Sequence, residues 1–263
     1  MCRSDAHGTL GAMNVTDRAP ALALGAVAAG YDKKVVIKRV DIAVARGEWF
    51  ALLGPNGSGK TTLLHCAAGL HVPSAGEVTI AGHSLRLAPR DAKRQLGFAC
   101  APDRLPRLLT GRQCLEIYAA AKDLERIDAD VLELADEFRY TEMLDAFVDS
   151  YSLGTKQKLA VLLALLGEPQ VILLDEAFNG LDPASSLVLK RHLRKRVSDG
   201  RCGVILATHA LDIVERYADR AALLLNGGIV HEWRRDEIAA LAAGTEDGFE
   251  AAIAAISVER AAH

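Results

Sequence analysis

The stretch Gly54-Pro55-Asn56-Gly57-Ser58-Gly59-Lys60-Thr61-Thr62 follows directly on the apolar run Trp49 to Leu53. It fits the spacing G-x-x-x-x-G-K-[ST] between a strand and a helix. Glycine at 54, 57 and 59 opens backbone angles closed to residues with a Cβ, so successive N–H groups can turn inward on an anion at a helix N-terminus. The Lys60 ammonium adds a point charge. The Thr61 hydroxyl is spaced to reach a Mg²⁺ shared with the β- and γ-phosphates. This is the chemistry of holding a nucleotide's phosphates.

Other residues decide what is done with the phosphates. Val171-Ile172-Leu173-Leu174 is a buried apolar strand that ends in Asp175-Glu176. That places Asp175 beside the metal and Glu176 one residue nearer the terminal phosphate. There a carboxylate can orient a water and accept its proton while Lys60 and the metal neutralise charge on the oxygens. Thr208-His209 ends the apolar strand Gly203 to Ala207, at the strand terminus where open α/β sheets bind ligands, and His209 is a candidate hydrogen-bond partner of the γ-phosphate. Tyr31 either stacks on a base or packs at a strand end. At Tyr151-Ser152-Leu153-Gly154-Thr155-Lys156-Gln157-Lys158 a turn of small residues opens an apolar helix, so Ser152 is either an N-cap or a second anion contact.

The elements that must position these groups follow from the hydrophobic pattern. Ala21 to Leu53 reads as short strands, with Val35 to Ile37 and Val40 to Val44 as two of them; another is expected at Glu77 to Ala81. From about Asp91 to Phe147 the signals are helical. Thr110-Gly111-Arg112-Gln113 forms a capping box, and Asp128 and Thr141 are expected N-caps. Strands return at Val171–Leu174, Gly203–Ala207 and Ala221–Leu225, with helices between, as a parallel α/β core requires. Asn226-Gly227-Gly228 then turns a hairpin into Ile229 to Trp233.

Composition narrows the setting. Half of the 263 residues are apolar and the net charge is −3, which supports a large core and no basic field for nucleic acid. Nucleic acid is therefore not an expected partner. The five cysteines (Cys2, Cys66, Cys100, Cys114, Cys202) lack metal-ligand or disulfide spacing, which fits a reducing cytosol. Arg18 before the apolar Ala19 to Gly30, with Ala26-Val27-Ala28, imitates a signal peptide. A long leader carrying Asp5 and Asp17 speaks against that reading, and residues 1–18 are expected to be a flexible leader. The run Leu159 to Leu166 falls far short of the roughly 20 residues that span a bilayer.

In order and approximate spacing, the phosphate loop, the Ser152 turn, the acid pair, Asn179-Gly180-Leu181-Asp182 and Thr208-His209 resemble an ABC-transporter ATPase over about Ala21 to Glu237. The resemblance implies a P-loop nucleoside triphosphatase core of α/β class, with an N-terminal antiparallel β subdomain and a helical insertion carrying the signature motif. It implies an ATPase domain over residues 19–240, with the helical part at about 91–165 and a helical tail at 241–263. ATP and Mg²⁺ are the implied cofactors. Ser152 to Thr155 becomes the signature motif that contacts ATP held by a second ATPase subunit, in a homo- or heterodimer. Asp182 communicates across that interface, and Tyr31 looks like the adenine-stacking aromatic. The further partner is an integral membrane permease on a separate chain, with this chain peripheral on the cytoplasmic face of the membrane.

Two departures stand out. The signature has Tyr151, Leu153 and Thr155 where the family pattern LSGGQ has Leu, Gly and Gln; a similar variant followed by Lys-Gln is familiar among ATPases serving exporters. After Leu96-Gly97-Phe98 the family's usual Gln is absent, and Ala99-Cys100-Ala101-Pro102-Asp103 stands there, which makes Asp103 the candidate for the metal or water contact. Thr245 to Glu250 resembles the acidic-Phe ending of export-associated ATPases, and reads equally as a plain terminal helix. The competing functions are a soluble ABC-type ATPase driving cytosolic assembly, for example of iron–sulfur clusters, and a module that holds ATP without turnover. Glu176 and His209 argue against the latter.

Overall fold

The computed structural model describes residues 19–32, 34–244 and 248–261. The expected leader at 1–18 lies outside these, as does Thr245 to Asp247 of the acidic-Phe segment. In chain order the elements are β1 (Leu22–Tyr31), β2 (Lys34–Val44), β3 (Trp49–Leu53), α1 (Lys60–Ala67), β4 (Ala75–Ile80), β5 (His83–Ser84), α2 (Pro89–Arg94) and β6 (Leu96–Ala99). Next come α3 (Gly111–Ala121), α4 (Ala129–Glu137), α5 (Leu153–Leu165), β7 (Val171–Asp175), α6 (Pro183–Ser198) and β8 (Gly203–Ala207). The chain continues through α7 (Leu211–Tyr217), β9 (Arg220–Leu225), β10 (Gly228–Arg234), α8 (Arg235–Gly244) and α9 (Gly248–Ala261).

The strands run in the order β5-β4-β1-β2-β10-β9-β3-β8-β7-β6. The β5-β4-β1-β2 portion is antiparallel, while β9, β3, β8, β7 and β6 pair in parallel. A single bridge, Gly228 to Arg39, joins the two portions. Period-2 alternation divides the core between the two faces of the parallel sheet. Trp49, Ala51 and Leu53 of β3 join Ile172, Leu174, Val204 and Leu206 under the packed helix α5. Phe50 and Leu52 point the other way, with Leu173, Ile205 and Leu224, onto α1 and the antiparallel strands. Both faces of these strands are covered, which is why they read as unbroken apolar runs. No helix among the described residues is long and apolar enough to cross a membrane.

The capping box at Thr110 is present: Gln113 N–H donates to Thr110 Oγ1 at 3.2 Å and Thr110 N–H donates to Gln113 Oε1 at 2.9 Å. Four local expectations differ. Val35 to Val44 is one continuous strand, because β2 pairs along its length with β1. The helical stretch is interrupted by β6, which closes the parallel sheet beside β7. Thr141 opens only a 3-10 turn, Thr141–Met143, since buried Tyr140 is tied to Tyr151 by a 3.1 Å hydrogen bond and the chain must return to the Thr110–Phe147 bridge. Asp128 does precede α4, but its carboxylate accepts from Gly167 N–H at 2.6 Å rather than capping its own helix.

The tail is docked. Phe249 is fully buried, its ring edge-on to Trp233 at 5.2 Å. Phe249→Ala is expected to lower unfolding free energy by about 3 kcal/mol, measured by urea unfolding. A loss below about 1 kcal/mol would contradict docking of α9, since that is the range of surface substitutions and small trims.

Candidate functional site

The phosphate loop connects the central strand β3 to α1, and two of its glycines are fixed by close approach. Gly54 has φ 153°, and a Cβ there would collide with the Leu224 carbonyl and lie 2.7 Å from Ser58 Oγ. Gly59, at φ 110°, is the N-cap of α1; a Cβ there would sit 2.6 Å from Ile37 Cδ1. The loop is therefore wedged between β9 and β2, and only glycine meets both conditions. Lys60 begins the helix and is 7% exposed. Its Nζ donates to the Gly54 carbonyl at 2.5 Å and the Pro55 carbonyl at 3.3 Å. No carboxylate pairs with it among the described residues.

A cavity of about 240 Å³ opens over this loop, walled by Pro55, Asn56, Gly57 and by Gly59 through Thr62 on one side and by Asp175 and Glu176 on the other. Val36 of β2 completes the wall; continuous β2 brings it there, and nothing in its residue type announced it. Gly54 and Ser58 form the loop behind. Ser58 Oγ is buried without a hydrogen-bond partner among the described residues.

The acid pair occupies the end of β7. Burial raises the Asp175 carboxyl above its ordinary range, and adjacent Glu176 adds to this, while the Thr61 hydroxyl, His65 and Lys60 act the other way. Glu176 takes φ 49°, a left-handed conformation that costs a non-glycine residue about 1–2 kcal/mol. It is pinned there by its own N–H, which donates to the Ala207 carbonyl at 2.9 Å. Its carboxylate is held from three sides: Oε1 lies 3.0 Å from His209 Nδ1, and Oε2 accepts from Thr208 Oγ1 at 3.3 Å and Asn179 Nδ2 at 3.4 Å. Thr208 in turn accepts the Ala210 N–H at 3.0 Å, and its own N–H donates to the Leu52 carbonyl. The Thr208 contact with Glu176 depends on β7 and β8 being neighbours, whereas Asn179 reaches it from three residues along the same loop.

The other candidates lie apart from this cavity. Ser152 is the N-cap of α5, accepting from Thr155 N–H at 3.1 Å. A Cβ on Gly154 would lie 2.6 Å from the Gly180 carbonyl, so this turn packs directly on the loop leading to Asp182. Asp182 caps α6 through Ser185, with bonds of 2.9 and 2.6 Å, and pairs with Lys158 at 3.2 Å. The Ser185 hydroxyl and N–H, with Lys158, hold its carboxyl well below the usual carboxylate range. Tyr31 ends β1, half-exposed, its ring 4.7 Å from His71. Asp103 is exposed on a 3-10 turn, Pro102–Arg104, just after β6. None of these five lines the cavity.

Comparison with known proteins agrees with this geometry. The family described as ABC transporter matches residues 37–179. Human ATP-binding cassette sub-family A member 10 is 36% identical over 199 residues, covering 74% of this chain. This chain spans only 13% of that relative's length. Nod factor export ATP-binding protein I of Rhizobium sp. (strain N33) is 32% identical over 212 residues, covering 79% of this chain and 68% of its own. A solved ATP-binding subunit of an ABC transporter superposes with TM-score 0.80 at 30% identity, covering 90% of this chain and 99% of the other. The chain is an ATP-binding cassette of the ABC transporter family, an α/β P-loop nucleoside triphosphatase.

Proposed function

We propose that this cassette hydrolyses ATP at the cavity between the Gly54–Thr62 loop and Glu176, and that the hydrolysis drives a membrane exporter. The observation that carries the reading is the Glu176 carboxylate, oriented by His209, Thr208 and Asn179 opposite the buried Lys60. Lys60 and the loop N–H groups bind the phosphates; Glu176 orients the attacking water and accepts its proton; His209 holds Glu176 and meets the γ-phosphate. The Asp175 carboxylate and Thr61 hydroxyl are a donor set that suits Mg²⁺, which keeps phosphate and water oxygens in most of its positions. That ion would supply charge neutralisation on the phosphate oxygens. Asp103, on the turn after the strand adjoining β7, is the candidate for contact with the metal or its water. The free face of Tyr31 is the candidate platform for adenine.

Ser152 and Gly154, on the turn that opens α5, and Asp182, at the start of α6, lie away from the cavity. We assign them to the ATP of a second cassette, either a copy of this chain or a homologous subunit, so that each nucleotide is closed by two chains. We assign residues 19–240 to the cassette, about 91–165 to its helical part, which β6 interrupts, and 241–263 to its tail. The partner is an integral permease on a separate chain, with the cassette on the cytoplasmic face of the cell membrane. Export is favoured by the Nod factor export relative, whose length this chain largely covers, over a role in soluble assembly.

Glu176→Gln is expected to keep ATP binding while slowing hydrolysis by about 10²-fold or more, read as single-turnover rate against nucleotide affinity; turnover near the unsubstituted rate would remove Glu176 as the base. Lys60→Ala is expected instead to weaken ATP binding, read by titration calorimetry, and an unchanged affinity would overturn the loop assignment. Because burial raises the folded pKa of Asp175 above its unfolded value, the ionised group opposes folding once pH exceeds that value. Asp175→Asn should therefore raise the thermal midpoint at neutral pH while abolishing hydrolysis, and a lowered midpoint would contradict the electrostatic account.

A further inference from the structure

Ser152 is exposed, yet the residue before it is anchored deep in the helical insertion. Tyr151 is 5% exposed and Tyr140 is fully buried, and their rings meet edge to face at 5.9 Å. The Tyr140 hydroxyl donates to the Tyr151 hydroxyl at 3.1 Å, and the Tyr151 hydroxyl donates to the Met143 carbonyl at 2.5 Å. A Cβ on Gly111, the first residue of α3, would strike both hydroxyls, so the start of α3 closes over the pair. Burial raises both phenols above their ordinary range. Each is therefore a neutral hydroxyl near pH 7, able to donate.

A buried hydroxyl costs free energy unless it is hydrogen-bonded. Here both are bonded, and the chain they form runs from Tyr140 through Tyr151 to the 3-10 turn Thr141–Met143. The same stretch of the insertion holds α5 a second time, through the Lys158 ammonium, which donates to the Phe138 carbonyl at 2.9 Å. Residues 138–143 thus grip the chain on both sides of Ser152. Between the two grips, the Ser152 hydroxyl accepts the Thr155 N–H and lies 2.8 Å from Thr155 Oγ1. The first turn of α5 therefore sets its direction, and Tyr151 and Lys158 set the place of that turn. Neither tyrosine lines the phosphate-loop cavity.

We propose that Tyr151 is a positioning residue for the composite site: its hydroxyl, locked between Tyr140 and the Met143 carbonyl, fixes where Ser152 meets the γ-phosphate of ATP held by the second cassette. This rests on the assignment of Ser152 to that nucleotide. Apolar packing alone tolerates small slides of a ring, whereas bonds on both sides of the hydroxyl are directional and hold it in one place. The accuracy matters, because a misplacement of about 1 Å can slow a reaction by about 10²-fold. Tyr140 acts on Ser152 only through Tyr151.

The test uses pairs of full chains, because a lesion in folding and a lesion in positioning differ in which chain has to carry them. When Lys60→Ala and Ser152→Ala chains are mixed, the one working site takes its phosphate loop from the second and its Ser152 turn from the first. Adding Tyr151→Phe to the Lys60→Ala chain should lower ATP hydrolysis by the mixture by about tenfold. The same change added to the Ser152→Ala chain lies in the site already lost, and that mixture should keep the parental rate. If Tyr151→Phe does not fold, Tyr140→Phe, which removes only the first bond of the chain, is read in the same two mixtures and should give a smaller loss on the same side. Equal losses in both mixtures, or no loss in either, would overturn the proposal, since the hydroxyl would then serve the fold alone. A parental mixture without activity would overturn the split site itself and the positioning role with it.

Discussion

The whole site depends on how closely the loop from Gly54 to Gly59 is pressed into the strands that surround it. The Leu224 carbonyl of β9 and the Ile37 side chain of β2 leave no room for a Cβ at the two ends of the loop. That contact sets where α1 starts, and so where Lys60 and Thr61 point. It also ties the antiparallel strands to the parallel sheet, adding to their shared core and the one backbone bridge between them. β3 lies between β9 and β8, and β8 beside β7. The parallel arrangement therefore delivers the loop, Asp175-Glu176 and Thr208-His209 to one carboxyl edge of one sheet.

Charge is concentrated there at a cost in stability. Burial holds the Asp175 carboxyl above its ordinary range, Lys60 is buried with carbonyls rather than a carboxylate around it, and Glu176 adopts a backbone conformation that favours glycine. These are the marks of a site organised for a negatively charged ligand rather than for its own stability. The apolar sheet offsets the burden: every residue of β3 and β8 is buried. Glu176 in particular needs that rigidity, since its backbone is anchored on β8 and its carboxylate on residues from the ends of β7 and β8.

What could be read from the sequence was chemistry written in short, contiguous runs. The glycine spacing, the strand ending in two acids and the Thr110 capping box each require only near neighbours, and each was found where expected. Features set by distant contacts were not legible. β6 is a four-residue strand held by its pairing with β7, and α5 packs so tightly on it that a Cβ at Gly97 would strike the Ala164 carbonyl. Thr141 has the residue type of an N-cap, yet the Tyr140–Tyr151 contact across the helical insertion decides its conformation. Val36 looks like any strand valine until pairing with β1 carries it to the cavity.

The separation of the Ser152 turn from the phosphate loop makes a split site the central claim, and subunit complementation tests it most directly. Lys60→Ala and Ser152→Ala chains are each purified, assayed for ATP hydrolysis, then mixed in equal amounts and assayed again. Each alone should be nearly inactive. In the mixture, half the pairs are mixed and each carries one intact composite site, so activity should recover to about a quarter of the unsubstituted rate. A mixture no more active than the sum of its parts would contradict a site completed between two copies of this chain.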